Sequence, residues 1–486
     1  MATRITTDVL DSYVLCRYKG YLKLMGQQGT TSDYETLLTA IRSEVKRIAS
    51  DKMRAQSQGD QVTSSIALTT SALERGPLFV LDATIDDDLI SLPVNGLKKV
   101  PGASKLGPFH YIPMLFHDGT RVRKEQKLLL EIHALLLSRY QGIVPNRGII
   151  WHGRDCKATT VHLTPDLRTA KHILTDLKKM GDADAPPKLM LNDHCHICEF
   201  RQRCHAQAVQ EDNLSLLRGL SEKEIKGYSR KGILTVTQLA HTFRPRRKGK
   251  RTGQGPPHRY HALQALAVRD KHIYVLGMPH LPHSPVRIYV DVESDPDAGF
   301  VYLIGLSVVE SGVETTYSFW ADTKDQESTI FEQFVAEVTR HESFLVFCYG
   351  DYERAFIRRM RKVAESQDLV DRILNALVNI LSLIYAHIYF PTYSNGLKDI
   401  GKGIGCSWTE PDASGIQSIV WRAQWEASHG KEWKQKLQTY NLEDCAALKR
   451  VTDVLQAVIT KTMPEDGSLP EGRTLPPFPL SRMSRN

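Results

Sequence analysis

The stretch from Ile288 to Leu306, IYVDVESDPDAGFVYLIGL, limits the possible folds more than any other part of the chain. It sets two acids, Asp291 and Glu293, one residue apart inside an apolar run. On a strand, residues two apart face the same way, so both acids project together with Arg287 and Tyr289. Val290 and Val292 flank them, and a second apolar run, FVYLIGLSVV, follows the turn SDPDAG. Carboxylates gathered where water is scarce repel one another. A fold tolerates them through protonation, cationic partners or a bound metal. A core strand with this pattern must meet a counter-charge.

Two later segments offer more acids. In FCYGDYERAF the chain leaves an apolar strand at Gly350 and enters a helix carrying Glu353, with Asp351 as a neighbour. In KLQTYNLEDCAALKRVTDVL, helical spacing aligns Leu437, Tyr440, Asp444, Leu448, Val451 and Leu455 on one face. Asp444 therefore lies in the apolar stripe of its helix, whereas Glu443, one step round, can be solvated. Three or four converging carboxylates suit two Mg²⁺ or Mn²⁺ ions about 3.5–4 Å apart, the pair that clamps the attacking and leaving oxygens of a phosphodiester. Tyr440, one turn before Asp444, is spaced to hydrogen-bond a water and aim it. A lone Asp-x-Glu is ordinarily a salt-bridged surface feature, so the reading rests on the joint occurrence and order of the three segments.

That order resembles the ribonuclease-H-like exonucleases of the DEDDy type, and among them the YprB-type domains, over roughly 286–456. The resemblance implies 3′-to-5′ hydrolysis, with Asp291, Glu293, Glu353 and Asp444 as metal ligands and Tyr440 orienting water. Many members carry Asp where Glu353 stands here. Glu is longer by a methylene, which leaves Asp351 as the other candidate for the third acid.

A second constellation lies upstream. LNDHCHICEFRQRCHAQA holds Cys195, Cys198 and Cys204, and Cys16 stands far before them in SYVLCRYKGYLKL. Three close thiolates and one distant one can complete a tetrahedral set for zinc or a [4Fe–4S] cluster, and His194 or His196 could replace a thiolate on zinc. Cys156, Cys348, Cys406 and Cys445 read as small apolar core residues. The spacing of the cysteine set resembles the iron–sulfur nucleases of the RecB and AddB type, which carry it around a PD-(D/E)XK core. That family should also present a catalytic Asp and a Glu-x-Lys on adjoining strands. LPVNGLKKVPG offers Asn95 instead, and FHYIPMLFHDG has no matching pair. An Asn brings no anionic charge to a Mg²⁺ site, so this domain is expected not to cleave. Gln126 resembles the family's glutamine motif, though a helix-surface glutamine explains it equally. Asp82 and the acids at 86–88 read as a solvated loop.

The expected architecture is therefore α/β throughout. Residues 1–210 form a RecB-like, restriction-endonuclease-type α/β domain that is degenerate at its nuclease site. Residues 211–285 form a connector, 286–462 a ribonuclease-H-like α/β domain, and 463–486 an unstructured tail. Within the connector, EIKGYSRKGILTVTQLA resembles a helix–hairpin–helix, whose turn can offer N–H groups to a phosphate without reading bases. Ser221 and Glu224 form a capping box there. RPRRKGKR follows, with six positive charges (Arg244, Arg246, Arg247, Lys248, Lys250 and Arg251) among eight residues. It suits either a solvated loop or a segment that tracks a phosphate backbone. It has no aromatic residue for stacking on bases.

The formal charge of +8 permits contact with nucleic acid and proves none. No run of about 18 apolar residues and no charged-then-apolar leader is visible, so a soluble, cytoplasmic protein without membrane contact is expected. Two functional readings follow. In one the chain is a metal-dependent exonuclease acting on DNA or RNA ends without sequence preference, in DNA processing or repair, with a helicase among its expected partners. In the other both nuclease folds have decayed, and the chain binds nucleic acid on behalf of a helicase or nuclease.

Overall fold

The computed structural model describes residues 4–57, 61–153, 155–164, 167–183, 185–244, 260–276, 279–295 and 299–462, with residues 461 and 462 described by their backbone alone. The chain forms two compact units, Met1–Cys204 and His205–Asn486. The connector segment 211–285 thus belongs to the second unit.

In the first unit a six-stranded sheet runs in chain order through β1 (Val62–Ser64), β2 (Phe79–Asp86), β3 (Ser91–Ser104), β4 (Gly107–His117), β5 (Arg147–His152) and β6 (Lys157–His162). The β1–β2 and β4–β5 pairs are parallel and the others antiparallel. The helix Asp33–Ala55 starts on a Ser32–Glu35 capping box, and the helix Lys124–Gln141 stops at Gly142, whose φ of 72° suits a residue without Cβ. Their apolar faces fill separate core clusters. Val45, Ala49 and Met53 pack with Phe79, Leu81 and Met114, while Ile132, Leu136 and Leu137 pack with Val80, Val94 and Leu97. Asp82 lies within β2 rather than in a loop, at a φ of 52°, and is paired with Lys46 Nζ at 2.6 Å. Asp87 caps a tight turn through the N–H groups of Leu89 and Ile90.

The second unit opens with the connector. The helix Glu222–Arg230 carries the Ser221–Glu224 capping box, and Val236–Ala240 follows the turn. The helix His261–Asp270 sends Gln264 Nε2 to the carbonyls of Phe390 and Thr392, both at 2.7 Å. The two-residue strand β7 (Tyr274–Val275) pairs with β13 (Ile388–Tyr389). The main sheet has the order β10-β9-β8-β11-β12, with β8 Val286–Asp295, β9 Phe300–Glu310, β10 Val313–Trp320, β11 Phe344–Cys348 and β12 Leu377–Asn379. The three-stranded meander β8–β9–β10 is antiparallel, and β8, β11 and β12 are parallel.

Alternation along β8 divides its side chains between two cores. Ile288, Val290 and Val292 pack with Phe331, Phe334 and Val338 of the helix Glu327–Thr339 and with Phe356 and Ile357 of the helix Tyr352–Met360. Tyr289 faces the other way, against Leu448, Val451 and Leu455 of the long helix Lys431–Thr462. Arg287 shares that second face and pairs with Asp453 of the same helix at 3.0 Å. The period-two rule then sends Asp291 and Glu293 toward the long helix as well.

Candidate metal centre

β8 delivers two acids and the long helix a third. Asp291, Glu293 and Asp444 each present a carboxylate oxygen within 4.8 Å of the other two, the sole group of three or more His, Cys, Asp or Glu so closely placed among the described residues. Glu293 and Asp444 are 8% and 7% exposed, while Asp291 keeps an opening to solvent. The predicted helical stripe holds as drawn, since Leu437, Tyr440, Asp444, Leu448, Val451 and Leu455 are all buried.

Each carboxylate has one oxygen engaged by an uncharged donor. Asn441 Nδ2 donates to Asp291 Oδ2 at 2.6 Å, Ser418 Oγ to Glu293 Oε2 at 2.6 Å, and Trp408 Nε1 to Asp444 Oδ1 at 2.7 Å. Sequence reasoning missed all three donors. Asn441 lies one position past Tyr440 and could have been found from the same stripe. Ser418, on the helix Gly415–Ser428, and Trp408, in the loop before it, carry no local signal. Gly305, directly opposite Asp291 on β9, makes room for the first of these bonds. A Cβ there would lie 2.0 Å from Asn441 Oδ1.

The electrostatics follow from burial. Desolvation pushes Asp291 well above the usual carboxylate range, and Asp444, Glu293 and Glu353 add repulsion that Asn441 only partly offsets. Desolvation likewise carries Glu293 to about 8, against the lowering effects of Ser418 and Lys398. Asp444 is raised by its burial, opposed by Lys398, Trp408 and Tyr440. Burial also drives the Tyr440 phenol far upward, so it is a donor and never an anion near neutrality.

Glu353 stands just outside the close set. It is 6% exposed, burial lifts it to about 7, and its Oε2 has no hydrogen-bond partner. Asp351, its rival as the third acid, is exposed and accepts from Asn379 Nδ2 at 3.0 Å. The inner acid of that pair is therefore Glu353. An orphaned, buried Glu353 oxygen beside three crowded carboxylates fits a hard divalent cation, which takes oxygen ligands and returns such groups to their charged form. Tyr289 is fully buried and stacks on Phe347 with ring centres 5.2 Å apart. Tyr302 is equally buried and packs edge-on to Trp320. Both are packing residues.

Residues 288–456 match the family model RNase_H_2 of the RNase_H superfamily. This part of the chain is a ribonuclease-H-like domain with a nuclease-type fold. The matched span runs from the first strand of the acid pair to the helix carrying Asp444. No curated protein matches the chain. No helix among the described residues is long and apolar enough to cross a membrane.

The four cysteines of the upstream set meet inside the first unit. Cys16, Cys195, Cys198 and Cys204 line one cavity together with Lys19, His194 and Phe200. Cys16 caps the helix Arg17–Leu24, and Asn192 Nδ2 donates to Leu15 O at 3.0 Å, tying the Cys195 turn beside it. Burial first, then the neighbouring thiols, lift Cys204 to about 12, and burial lifts Cys198 to about 11. No three of these sulfurs fall within 4.8 Å of one another. A tetrahedral zinc with bonds of about 2.3 Å would draw them to about 3.8 Å. Cys156, Cys348 and Cys445 are buried core residues as expected, and Cys406 is half-buried. Gln126 caps its own helix, its Oε1 accepting from Arg123 N at 3.0 Å. Of the basic segment, Arg244 donates to the carbonyls of His241 and Phe243, while Arg246, Arg247, Lys248, Lys250 and Arg251 lie outside the described residues, as does the tail from 463.

Proposed function

We propose that this chain is a divalent-metal-dependent nuclease, a 3′-to-5′ exonuclease acting on DNA or RNA ends in DNA processing or repair. The observation that carries the reading is the meeting of Asp291, Glu293 and Asp444 within 4.8 Å, in a domain that matches the RNase_H superfamily. Mg²⁺ or Mn²⁺ bound there would act as a Lewis acid on the phosphodiester and on the attacking water. Asp291, Glu293 and Asp444 would hold it, with Glu353 completing the shell or accepting the proton of the water. Tyr440, one turn before Asp444 and held neutral, would donate a hydrogen bond that orients the water.

In the first unit, the shared cavity of Cys16, Cys195, Cys198 and Cys204 supports a structural metal centre, a [4Fe–4S] cluster or zinc, in a RecB-like platform that does not itself cleave. Arg244 and the basic residues after it would track a phosphate backbone without reading sequence. A helicase that feeds strand ends to the site is the partner this arrangement suits.

The test is release of label from 3′-labelled single- and double-stranded oligonucleotides with Mn²⁺, comparing the wild type with Asp291→Ala and Asp444→Ala. Loss of label in the wild type alone supports the proposal. A wild type that binds the strand and leaves it intact would make the chain a binding module.

A further inference from the structure

The candidate centre contains a cation that sequence reasoning did not single out. Lys398, on the helix Leu397–Gly403, extends its Nζ over the face of Tyr440, 3.9 Å from the ring centre. The same Nζ donates to Ala413 O at 2.5 Å and lies 5.5 Å from the ring centre of Trp408. Its direct partners are thus a carbonyl and two rings, although Asp444, Glu293 and Asp291 all act on it through their charge. A half-buried ammonium beside three acids would ordinarily pair with one of them. This one is held by the Ala413 carbonyl and turned to the Tyr440 ring.

Tyr440 is the group this arrangement serves. It is 4% exposed, and Trp421 meets its ring edge-on with ring centres 6.0 Å apart, so an indole and an ammonium together bound the ring. A cation over the face of a phenol is attracted by the ring's quadrupole, more strongly when both are withdrawn from water. The anchor of that cation is itself tied to the centre. Ala413 directly precedes Ser414, the N-cap of the helix Gly415–Ser428, and Ser418 of that helix donates to Glu293. Trp408, the second ring beside the ammonium, donates to Asp444. One lysine head therefore touches the Tyr440 ring and the loop and indole that hold two of the acids.

We propose that Lys398 is a positioning residue for Tyr440, pinning the ring by its face so that the hydroxyl keeps its aim at the attacking water. This rests on the nuclease reading above and deepens it by one residue. In this role Lys398 touches no reacting atom, stays protonated and acts only through the ring. The rate depends steeply on such aim, since a displacement of about 1 Å can cost about 100-fold. The attraction needs the charge, so a guanidinium can stand in for the ammonium and a neutral side chain of similar length cannot.

The test is a double-mutant cycle on release of 3′ label by the full chain, in saturating Mn²⁺ so that changes in metal affinity drop out. Lys398→Met should lower kcat about 10- to 100-fold and leave KM within about twofold. Tyr440→Phe keeps the ring, removes the hydroxyl and should lower kcat at least as far. In that background Lys398→Met should cost no more than about a further twofold, because the group it aims is gone. Lys398→Arg should recover most of the lost kcat. A second readout needs neither metal nor substrate. In the metal-free protein labelled with fluorotyrosine, the fluorine NMR signal absent from Tyr440→Phe should shift and broaden in Lys398→Met and return in Lys398→Arg. If Lys398→Met does not fold, Lys398→Gln, which keeps a donor for Ala413 O, takes its place in both measurements. Additive losses in the cycle, a raised KM with kcat unchanged, a Lys398→Arg as slow as Lys398→Met, or an unmoved fluorine signal would each overturn the proposal and leave the nuclease reading standing. So would wild-type kcat in Lys398→Met or in Tyr440→Phe. A wild type that releases no label would remove the nuclease reading, and this proposal with it.

Discussion

Gly305→Ala is a change of one methyl group, yet it should disable the metal centre. The added Cβ would sit 2.0 Å from Asn441 Oδ1 and 2.8 Å from its Cγ, against an ordinary contact of 3.4 Å or more. The amide must therefore retreat by about 1.4 Å, and Asn441 is fully buried, with no solvent to retreat into. Its 2.6 Å bond to Asp291 cannot survive that movement. Overpacking costs about 1–3 kcal/mol, and a lost hydrogen bond to a charged group about 1.5–3 kcal/mol. A destabilisation of about 3 kcal/mol is expected, with Mn²⁺ binding weakened about 10- to 100-fold, the range for groups that orient metal ligands. Five of the six tryptophans (Trp320, Trp408, Trp421, Trp425 and Trp433) lie in the second unit, so urea unfolding followed by indole fluorescence reports on it. Titration calorimetry gives the affinity. The double variant Gly305→Ala, Asn441→Ala should recover part of the stability and none of the affinity, because it removes the clash and also the donor. A Gly305→Ala protein with wild-type stability and Mn²⁺ affinity would refute this account of how Asp291 is positioned.

Other outcomes can be checked in the same assays. In EDTA, stability should fall as pH rises from about 4.5 through about 8. The folded state keeps protons on Glu293 and Glu353 that the unfolded chain has released, and saturating Mn²⁺ should flatten that slope in thermal melts taken at several pH values. Glu353→Gln should raise the melting temperature of the metal-free protein at pH 8, where the buried charge is most costly, and weaken Mn²⁺ binding about tenfold. Arg422→Ala should cost about 3–5 kcal/mol in urea. This buried guanidinium lies against the rings of Tyr302, Trp320 and Trp425 and donates to the carbonyls of Ala321 and Asp322. Cys198→Ser should lower the iron or zinc content measured by elemental analysis and make the first unit easier to proteolyse, with the Mn²⁺ affinity of the second unit unchanged.

Much of the second unit could be read from periodicity alone. Asp291 and Glu293 share a strand face by the period-two rule, and Asp444 enters the apolar stripe of its helix by the 3.6-residue rule. Both patterns are local, and tertiary structure had only to bring them together. The capping box at Ser221 and Glu224 was legible for the same reason. What escaped were groups whose role depends on long-range placement. Ser418 and Trp408 look like any hydroxyl or indole along the chain, and only the folded sheet shows that each is aimed at a carboxylate. Gly305 sits in a continuous apolar strand where nothing nearby betrays the amide it must clear. Asp82 reads as part of a loop because acids follow it closely, whereas it lies within β2, still partly open to solvent and paired with Lys46.

Asp444 sits near the middle of a 32-residue helix whose far half is locked down by Leu448, Val451 and Leu455 and by the Arg287–Asp453 pair. A screw advances only by turning. A slip of that helix by a single residue would swing Asp444 about 100° away from β8 and bring a neighbour into its place. The anchors lie about one to three turns from the chemistry, so damage at Val451 or Asp453 should reach the acids as a rotation, with every local bond on the strand still intact.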